Sequence, residues 1–216
     1  VDGVVLVRDG EIEQVGAAND VAIPSGYQTL STSVVTPGLI DAHSVVGLAG
    51  MYNTDADQDQ LDTSSPIQPE LRAIDAYNAR EELVAWIRDL GVTTVHTGHG
   101  PGAPVSGQTM IVKTNGTTMG TALVDSTTMV AMTLGPSVER RFQSPGTRGK
   151  TVAMLREHFI QAQTYRDRMQ SDNPPTRDLG MEAMVRVLDG DVPALITAHR
   201  HTEILSALRL AEEFGF

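Results

Sequence analysis

Short apolar runs and amphipathic segments alternate along most of the chain. The first alternating stretch, 4–16, is interrupted by Asp9-Gly10, a pair that favours the tight turn of a β-hairpin. Residues 27–35 have the composition of a further strand. From there on the hydrophobic pattern predicts strands at 39–43, 92–97, 109–114, 128–135 and 192–199, and helices at 79–91, 149–169, 179–190 and 202–215.

The order of these elements predicts the fold class. Helices that alternate with apolar strands indicate βαβ units and a parallel sheet, so the larger part of the chain is predicted to be α/β. The strand-rich start, 1–36, predicts a separate small β portion. Between the elements, the polar stretch 53–68 is predicted to be a long loop, and the Gly/Pro-rich stretch 98–107 a second one.

Composition excludes several classes of function. The net charge of −11 argues against nucleic acid and against anionic membranes as partners, because both require a basic face. The chain has no Cys, which excludes disulfides, thiol catalysis and cysteine-ligated metals. No apolar run approaches the roughly 20 residues that span a bilayer. The compartment stays open, whether cytoplasmic or exported.

Histidines stand at the ends of three predicted strands. His43 follows Asp41 in the first, His96 ends the second, and His199 ends the fifth. In α/β barrels the polar residues at the carboxyl ends of strands face the active site. The simpler interpretation is structural, because isolated histidines are not a ligand set. We interpret His99 as a loop residue beside a Gly-rich turn, and His201 as the start of the last helix, with Thr202 as a possible N-cap.

The order of several segments resembles the amidohydrolase superfamily, and within it the imidazolonepropionase-like branch. The resemblance rests on "GVVLVRDGEIEQVG", "VTPGLIDAHS", "LGVTTVHTGHGPGAPVSGQTMIVKT" and "RDLGMEAMVRVLDGDVPALITAHRHTEILSALRLAEEFGF". It implies a (β/α)8 barrel of the TIM type that carries a small β-sandwich. Residues 1–36 would then form part of the sandwich, and 37–216 the N-terminal part of the barrel. The family's catalytic aspartate would lie beyond Phe216, so the chain is expected to be partial.

The resemblance also implies a chemistry. Family members hydrolyse carbon–nitrogen bonds with water that a divalent metal, most often zinc, activates. His43 and His199 match two metal ligands, but Val45 and Thr197 stand where two further histidines are expected. Asp41, His96 and Thr197 are the expected substrate-binding residues.

Two further positions are implied by the resemblance. Ala131 stands where relatives have a lysine, and Lys113 matches a family lysine to which no role is assigned.

Two functions remain open on this basis. One is a hydrolase of non-peptide carbon–nitrogen bonds with a depleted metal-ligand set, acting on a small-molecule substrate. The other is a non-catalytic, amidohydrolase-like module for binding or assembly. In either case we expect His43 and His199 at the same end of the sheet, with Val45 and Thr197 lining one cavity. Exposed sheet edges should be covered by a second copy or by a complementing C-terminal half.

Overall fold

The computed structural model describes residues 2–216, which divide into one unit that ends at Pro37 and another that begins at Gly38. The first unit contains the predicted hairpin, with β1 at Gly3–Arg8 and β2 at Glu11–Ala17 in antiparallel register. Asp9 and Gly10 both have positive φ, as the tight turn requires. The Tyr27 hydroxyl accepts a hydrogen bond from Arg8 and donates one to Glu13.

The strand predicted at 27–35 is wrong. Residues 27–37 are irregular, and Leu30, Val34 and Val35 are exposed. A strand depends on a neighbour that takes up its backbone hydrogen bonds, and residues 2–37 offer this segment none beyond the hairpin. β-propensity alone therefore did not produce a strand here.

The second unit is a mixed α/β fold with a curled half-barrel sheet. Most predicted elements in this unit are confirmed within a few residues, and 53–68 is a loop apart from a 3₁₀ turn at Asp55–Asp57. Its strands are β3 Leu39–Ser44, β4 Val92–Gly98, β5 Val105–Lys113, β6 Leu123–Asp125, β7 Val130–Thr133 and β8 Ala194–Thr197. Its helices are α1 Ala73–Ala76, α2 Glu82–Asp89, α3 Met119–Ala122, α4 Pro136–Glu139, α5 Arg148–Met169, α6 Leu179–Leu188 and α7 His201–Phe214.

The sheet has the order β3-β4-β5-β7-β8, with β6 paired to β5. β3 and β4 are parallel, β7 and β8 are parallel, and β5 is antiparallel to both of its main neighbours. The prediction of a purely parallel sheet is therefore wrong at β5. The cause is the short connection at 99–104, since a parallel crossover takes about a dozen residues or more.

Two apolar clusters hold helices and loops onto this sheet. One joins β7 and β8 to α5, α6 and α7 and includes Phe159, whose ring stacks on those of Phe214 and Phe216. The other, with Val95 and Met110, packs α1 and α3 against β4 and β5. β3, β4, β7 and β8 all run in the same direction, so the residues at their carboxyl ends lie on the same side of the sheet.

None of the helices among residues 2–216 is long and apolar enough to cross a membrane. Exposed apolar side chains include Leu39 and Ile40 on the outer strand β3, and Ile204, Leu205 and Leu208 on α7. Cover by a second copy or by a complementing half stays a prediction.

Candidate functional site

His43 and His96 lie side by side at the carboxyl ends of β3 and β4. Their ring centroids are 5.7 Å apart, and the ring planes are tilted by 49°. The His43 side chain is exposed, and the backbone N–H of His43 donates to Oδ1 of Asp41 over 3.2 Å. Partial burial and the neighbouring His96 lower the pKa of His43, against the opposing charge of Asp41. His43 therefore has its lone pair free at neutral pH.

His96, in contrast, is buried and fully hydrogen-bonded. Its Nδ1 lies 2.9 Å from the carbonyl oxygen of Ala42, and its Nε2 lies 2.7 Å from Oγ1 of Thr109. A carbonyl oxygen can only accept, so Nδ1 carries the hydrogen, and in the neutral ring Nε2 accepts from the Thr109 hydroxyl. Both ring nitrogens are therefore hydrogen-bonded within the described chain. Through these two hydrogen bonds His96, in β4, links that strand to β3 and β5.

Val45 fills the position where the resemblance implies a second histidine. Its backbone carbonyl accepts hydrogen bonds from Leu48 and Ala49 in the turn after β3. Its Cγ1 lies so close to Gly100 that a Cβ added there would be only 3.0 Å away. The side chain therefore packs against the loop after β4 and offers no donor atom.

Thr197 and His199 lie at the carboxyl end of β8, which runs in the same direction as β3. The Thr197 carbonyl accepts from the backbone of Leu134, and the exposed His199 donates its backbone N–H to Oε2 of Glu203. His43 and His199 are thus at the same end of their strands, but on the two outermost strands of the sheet. A shared cavity lined by Val45 and Thr197 stays a prediction.

Glu203 was missed by the sequence reasoning. It is buried at the third position of α7, and its Oε2 accepts from the backbone N–H groups of both His199 and Arg200 at 3.1 Å. Burial alone would raise the pKa of this carboxyl, but those two hydrogen bonds and the Arg200 charge outweigh it and lower the pKa. The N-cap of α7 is accordingly Arg200, and the predicted cap Thr202 lies inside the helix.

The two other positions that the resemblance singled out do not join this site. Lys113 ends β5, the antiparallel strand, and donates to Oγ1 of Thr94 near the start of β4, at the opposite edge of the sheet. Ala131 is buried within β7. Among residues 2–216 no group of three His, Cys, Asp or Glu lies close enough together to hold a metal ion. The ligand roles of His43 and His199, and the substrate roles of Asp41, His96 and Thr197, stay predictions.

His99 is the second site residue that the sequence reasoning underestimated. It lies in the loop after β4, as predicted, but its side chain is only 4% exposed. The ring packs on Gly107, where an added Cβ would lie 2.4 Å from Cδ2. Burial lowers the pKa of His99, while the Gln60 carbonyl and the carboxylates of Asp59 and Asp62 act in the opposite direction. The one feature of the sequence that could have indicated this burial is Gly107, which leaves room for the ring.

Comparison with known proteins gives one informative likeness. No family model matches the chain, and no curated protein does. The crystal structure of an amidohydrolase from Thermotoga maritima MSB8 is similar to it, with 30% sequence identity and a TM-score of 0.85. The match covers 98% of this chain and 57% of that one. This supports an amidohydrolase-like relationship, and the chain spans little more than half the length of that protein.

Proposed function

We propose that this chain is part of an amidohydrolase-like hydrolase that cleaves carbon–nitrogen bonds, other than peptide bonds, in a small-molecule substrate. The observation that carries the proposal is the likeness to an amidohydrolase along nearly the whole chain. The common direction of β3, β4, β7 and β8 supports it, because catalytic groups of α/β enzymes lie at the carboxyl ends of strands. Assignment to the imidazolonepropionase-like branch remains part of the proposal.

The donor atoms of the described residues do not complete a metal site. A structural or catalytic zinc ion needs at least three protein ligands. His43 has a free ring nitrogen, but both of those in His96 are hydrogen-bonded and Val45 has no donor atom. No group of three candidate ligands forms within residues 2–216. We therefore propose a depleted ligand set to which this chain contributes at most His43 and His199.

Within the proposed site, the side chains of this chain bind and orient the substrate. His43 is exposed and neutral at pH 7, so its ring can accept a hydrogen bond or a proton from a substrate N–H or from water. Asp41 holds the backbone of His43 through its Oδ1. His96 fixes the neighbouring strand at Ala42, which keeps the two rings at their short separation.

Hydrolysis by the full-length protein tests this proposal. Amides, cyclic amides and amidines are offered at pH 7, with and without added zinc, and released amine or ammonia is measured. We expect turnover in at least one class, and a loss of about tenfold or more in kcat/KM for His43→Ala and for His199→Ala.

His201→Ala is the matched control, because His201 is also exposed and lies two residues from His199. This control should stay within about twofold of the parent. No turnover in any class would favour the non-catalytic alternative, whereas full activity in His43→Ala would contradict the role proposed for His43.

Zinc titration tests the depleted ligand set. The double variant Val45→His with Thr197→His should bind zinc more tightly than the parent full-length protein, since each imidazole adds a ligand. Val45→His alone adds a single imidazole, so its gain should be smaller than that of the double variant. Tight binding of two zinc ions by the parent, unchanged in the double variant, would contradict the proposal.

A further inference from the structure

A cavity of about 310 Å³ lies beside the end of β4, between His99 and the segment 58–76. His99 forms its inner wall and is more than nine-tenths buried. Neither Nδ1 nor Nε2 of this ring makes a hydrogen bond of good geometry in the described chain, and the Gln60 carbonyl is the backbone group that acts on the ring. Oε1 of Gln60 is also buried without a partner. The Gln60 carbonyl can accept the hydrogen of only one ring nitrogen. Buried polar side chains are nearly always hydrogen-bonded, so the other nitrogen, in a residue that lines a cavity, indicates a partner from outside the chain.

The charges around the cavity indicate the sign of that partner. Four carboxylates line it, and Arg72 is the single Lys or Arg side chain among the lining residues. Asp62 is held in place because its Oδ1 accepts from the backbone N–H and the hydroxyl of Ser64. These bonds also lower the pKa of Asp62, so it stays charged near neutral pH. The remaining carboxylates are those of Asp59, Glu70 and Asp75.

The walls of the cavity are anchored to the sheet. The segment 67–72 runs along β5, with backbone hydrogen bonds from Gln68 to Val105 and from Gln108 to Leu71. The ring of His99 is fixed against Gly107, whose φ of +133° and close approach leave no room for a side chain. A pocket with a preformed shape loses little entropy when it binds a ligand.

We propose that this cavity binds a small organic cation with N–H donors, an alkylguanidinium or alkylammonium group, whose N–H is accepted by His99 and whose charge is balanced by the surrounding carboxylates. A divalent metal fits less well, because no three candidate ligands converge among residues 2–216. The volume suits a ligand at the small end of the usual range for such pockets, about 300–1,000 Å³. The proposal is independent of hydrolysis.

Ring-nitrogen NMR of the full-length protein, at low ionic strength and pH 7, tests the proposal. The probes are n-butylguanidinium, n-butylammonium, the neutral isostere n-butylurea, and zinc chloride. The resonances of His99 are assigned by their loss in His99→Gln. We expect saturable shifts of these resonances with n-butylguanidinium, and binding of n-butylurea at least about tenfold weaker.

Three results would overturn the proposal. They are unshifted His99 resonances, equal binding of the neutral isostere, and displacement of n-butylguanidinium by equimolar zinc, which would make the site a metal site.

Variants separate binding at this cavity from general effects of charge. Asp59→Asn and Asp75→Asn should each weaken n-butylguanidinium binding about two- to fivefold, since both carboxylates line the cavity and are exposed. The matched control is Asp172→Asn, the same change at an exposed residue between α5 and α6, which should leave binding unchanged.

His99→Leu should weaken binding about tenfold or more. Should that variant fail to fold, the two aspartate variants decide. If the parent, Asp59→Asn and Asp75→Asn all bound n-butylguanidinium with equal affinity, the proposed site would be refuted.

Discussion

His96 and His99 lie three residues apart at the end of β4, and both are buried, with 7% and 4% of their surface exposed. Their surroundings are nevertheless opposite. Both ring nitrogens of His96 are hydrogen-bonded, to β3 and to β5. Those of His99 make no hydrogen bond of comparable geometry, and only the Gln60 carbonyl acts on the ring from the backbone of the described chain. His96 therefore connects neighbouring strands through its ring, whereas the ring of His99, buried to nearly the same degree, connects none.

The difference arises from where the strand ends. His96 lies within β4, between two paired strands that supply a carbonyl oxygen and a hydroxyl. After Gly98 the chain leaves the sheet, and His99 faces the cavity beside 58–76 instead of a neighbouring strand. A hydrogen-bonded buried histidine contributes to stability, while an unpartnered one costs stability unless a ligand or water satisfies it. Stability measurements should therefore separate the two.

The largest effect is expected for His96→Leu. The change leaves the carbonyl of Ala42 and the hydroxyl of Thr109 without their buried partner, and we expect a loss of about 2–4 kcal/mol in the free energy of unfolding. In the matched change His99→Leu the Gln60 carbonyl keeps its hydrogen bond from the backbone of Gly100, so the cost should be less than half as large. Urea unfolding followed by the fluorescence of Trp86, the single tryptophan, measures both. Equal losses would contradict the comparison.

Gly107→Ala should have the next largest effect. The φ of +133° disfavours any side chain, and the new Cβ would lie 2.4 Å from the His99 ring and 2.9 Å from the Leu71 carbonyl. We expect a loss of about 2 kcal/mol. Gly149→Ala is the control, because Gly149 is in the first turn of α5 with nothing within 4 Å, and it should be neutral or slightly stabilising. A neutral result for Gly107→Ala would mean that the His99 ring is not held there.

The sequence predicted the neighbourhood of His96 better than that of His99. Apolar strands that end in "DAH" and "VHT" can be recognised locally, and their parallel pairing brings His43 next to His96. The direction of β5 could have been predicted from the short connection before it, but periodicity alone carries no direction. The burial of His99 depends on the long polar loop folding back over it, a contact that no local pattern encodes.

Thr109→Val is expected to cost about 1–2 kcal/mol, because it removes the hydroxyl that pairs with Nε2 of His96 and leaves that nitrogen buried and unpaired. Thr128→Val is the matched control. The hydroxyl of Thr128 hydrogen-bonds to the hydroxyl of Thr109, at 3.0 Å, and the bonds of the ring go to Ala42 and Thr109 instead. Its loss should cost less than half as much by the same urea measurement. A larger loss for Thr128→Val would show that the pair of threonines, and not the ring, is the stabilising contact.

The smallest expected effect is a pH dependence that belongs to His99. Burial lowers its pKa below the ordinary 6.5, although the Gln60 carbonyl and the carboxylates of Asp59 and Asp62 oppose this. Between the lowered pKa and about 6.5 the unfolded chain binds more protons than the folded one, so the free energy of unfolding falls as the pH drops through that window. His99→Gln should make this decline shallower, by at most about 1.4 kcal/mol per pH unit.

His43 and His158, whose pKa values are also lowered by burial, still contribute in the variant, so the quantity to measure is the difference between the two profiles from pH 5 to 8. Coincident slopes would mean that His99 is equally solvated in both states, and the contrast with His96 would then rest on hydrogen bonds alone.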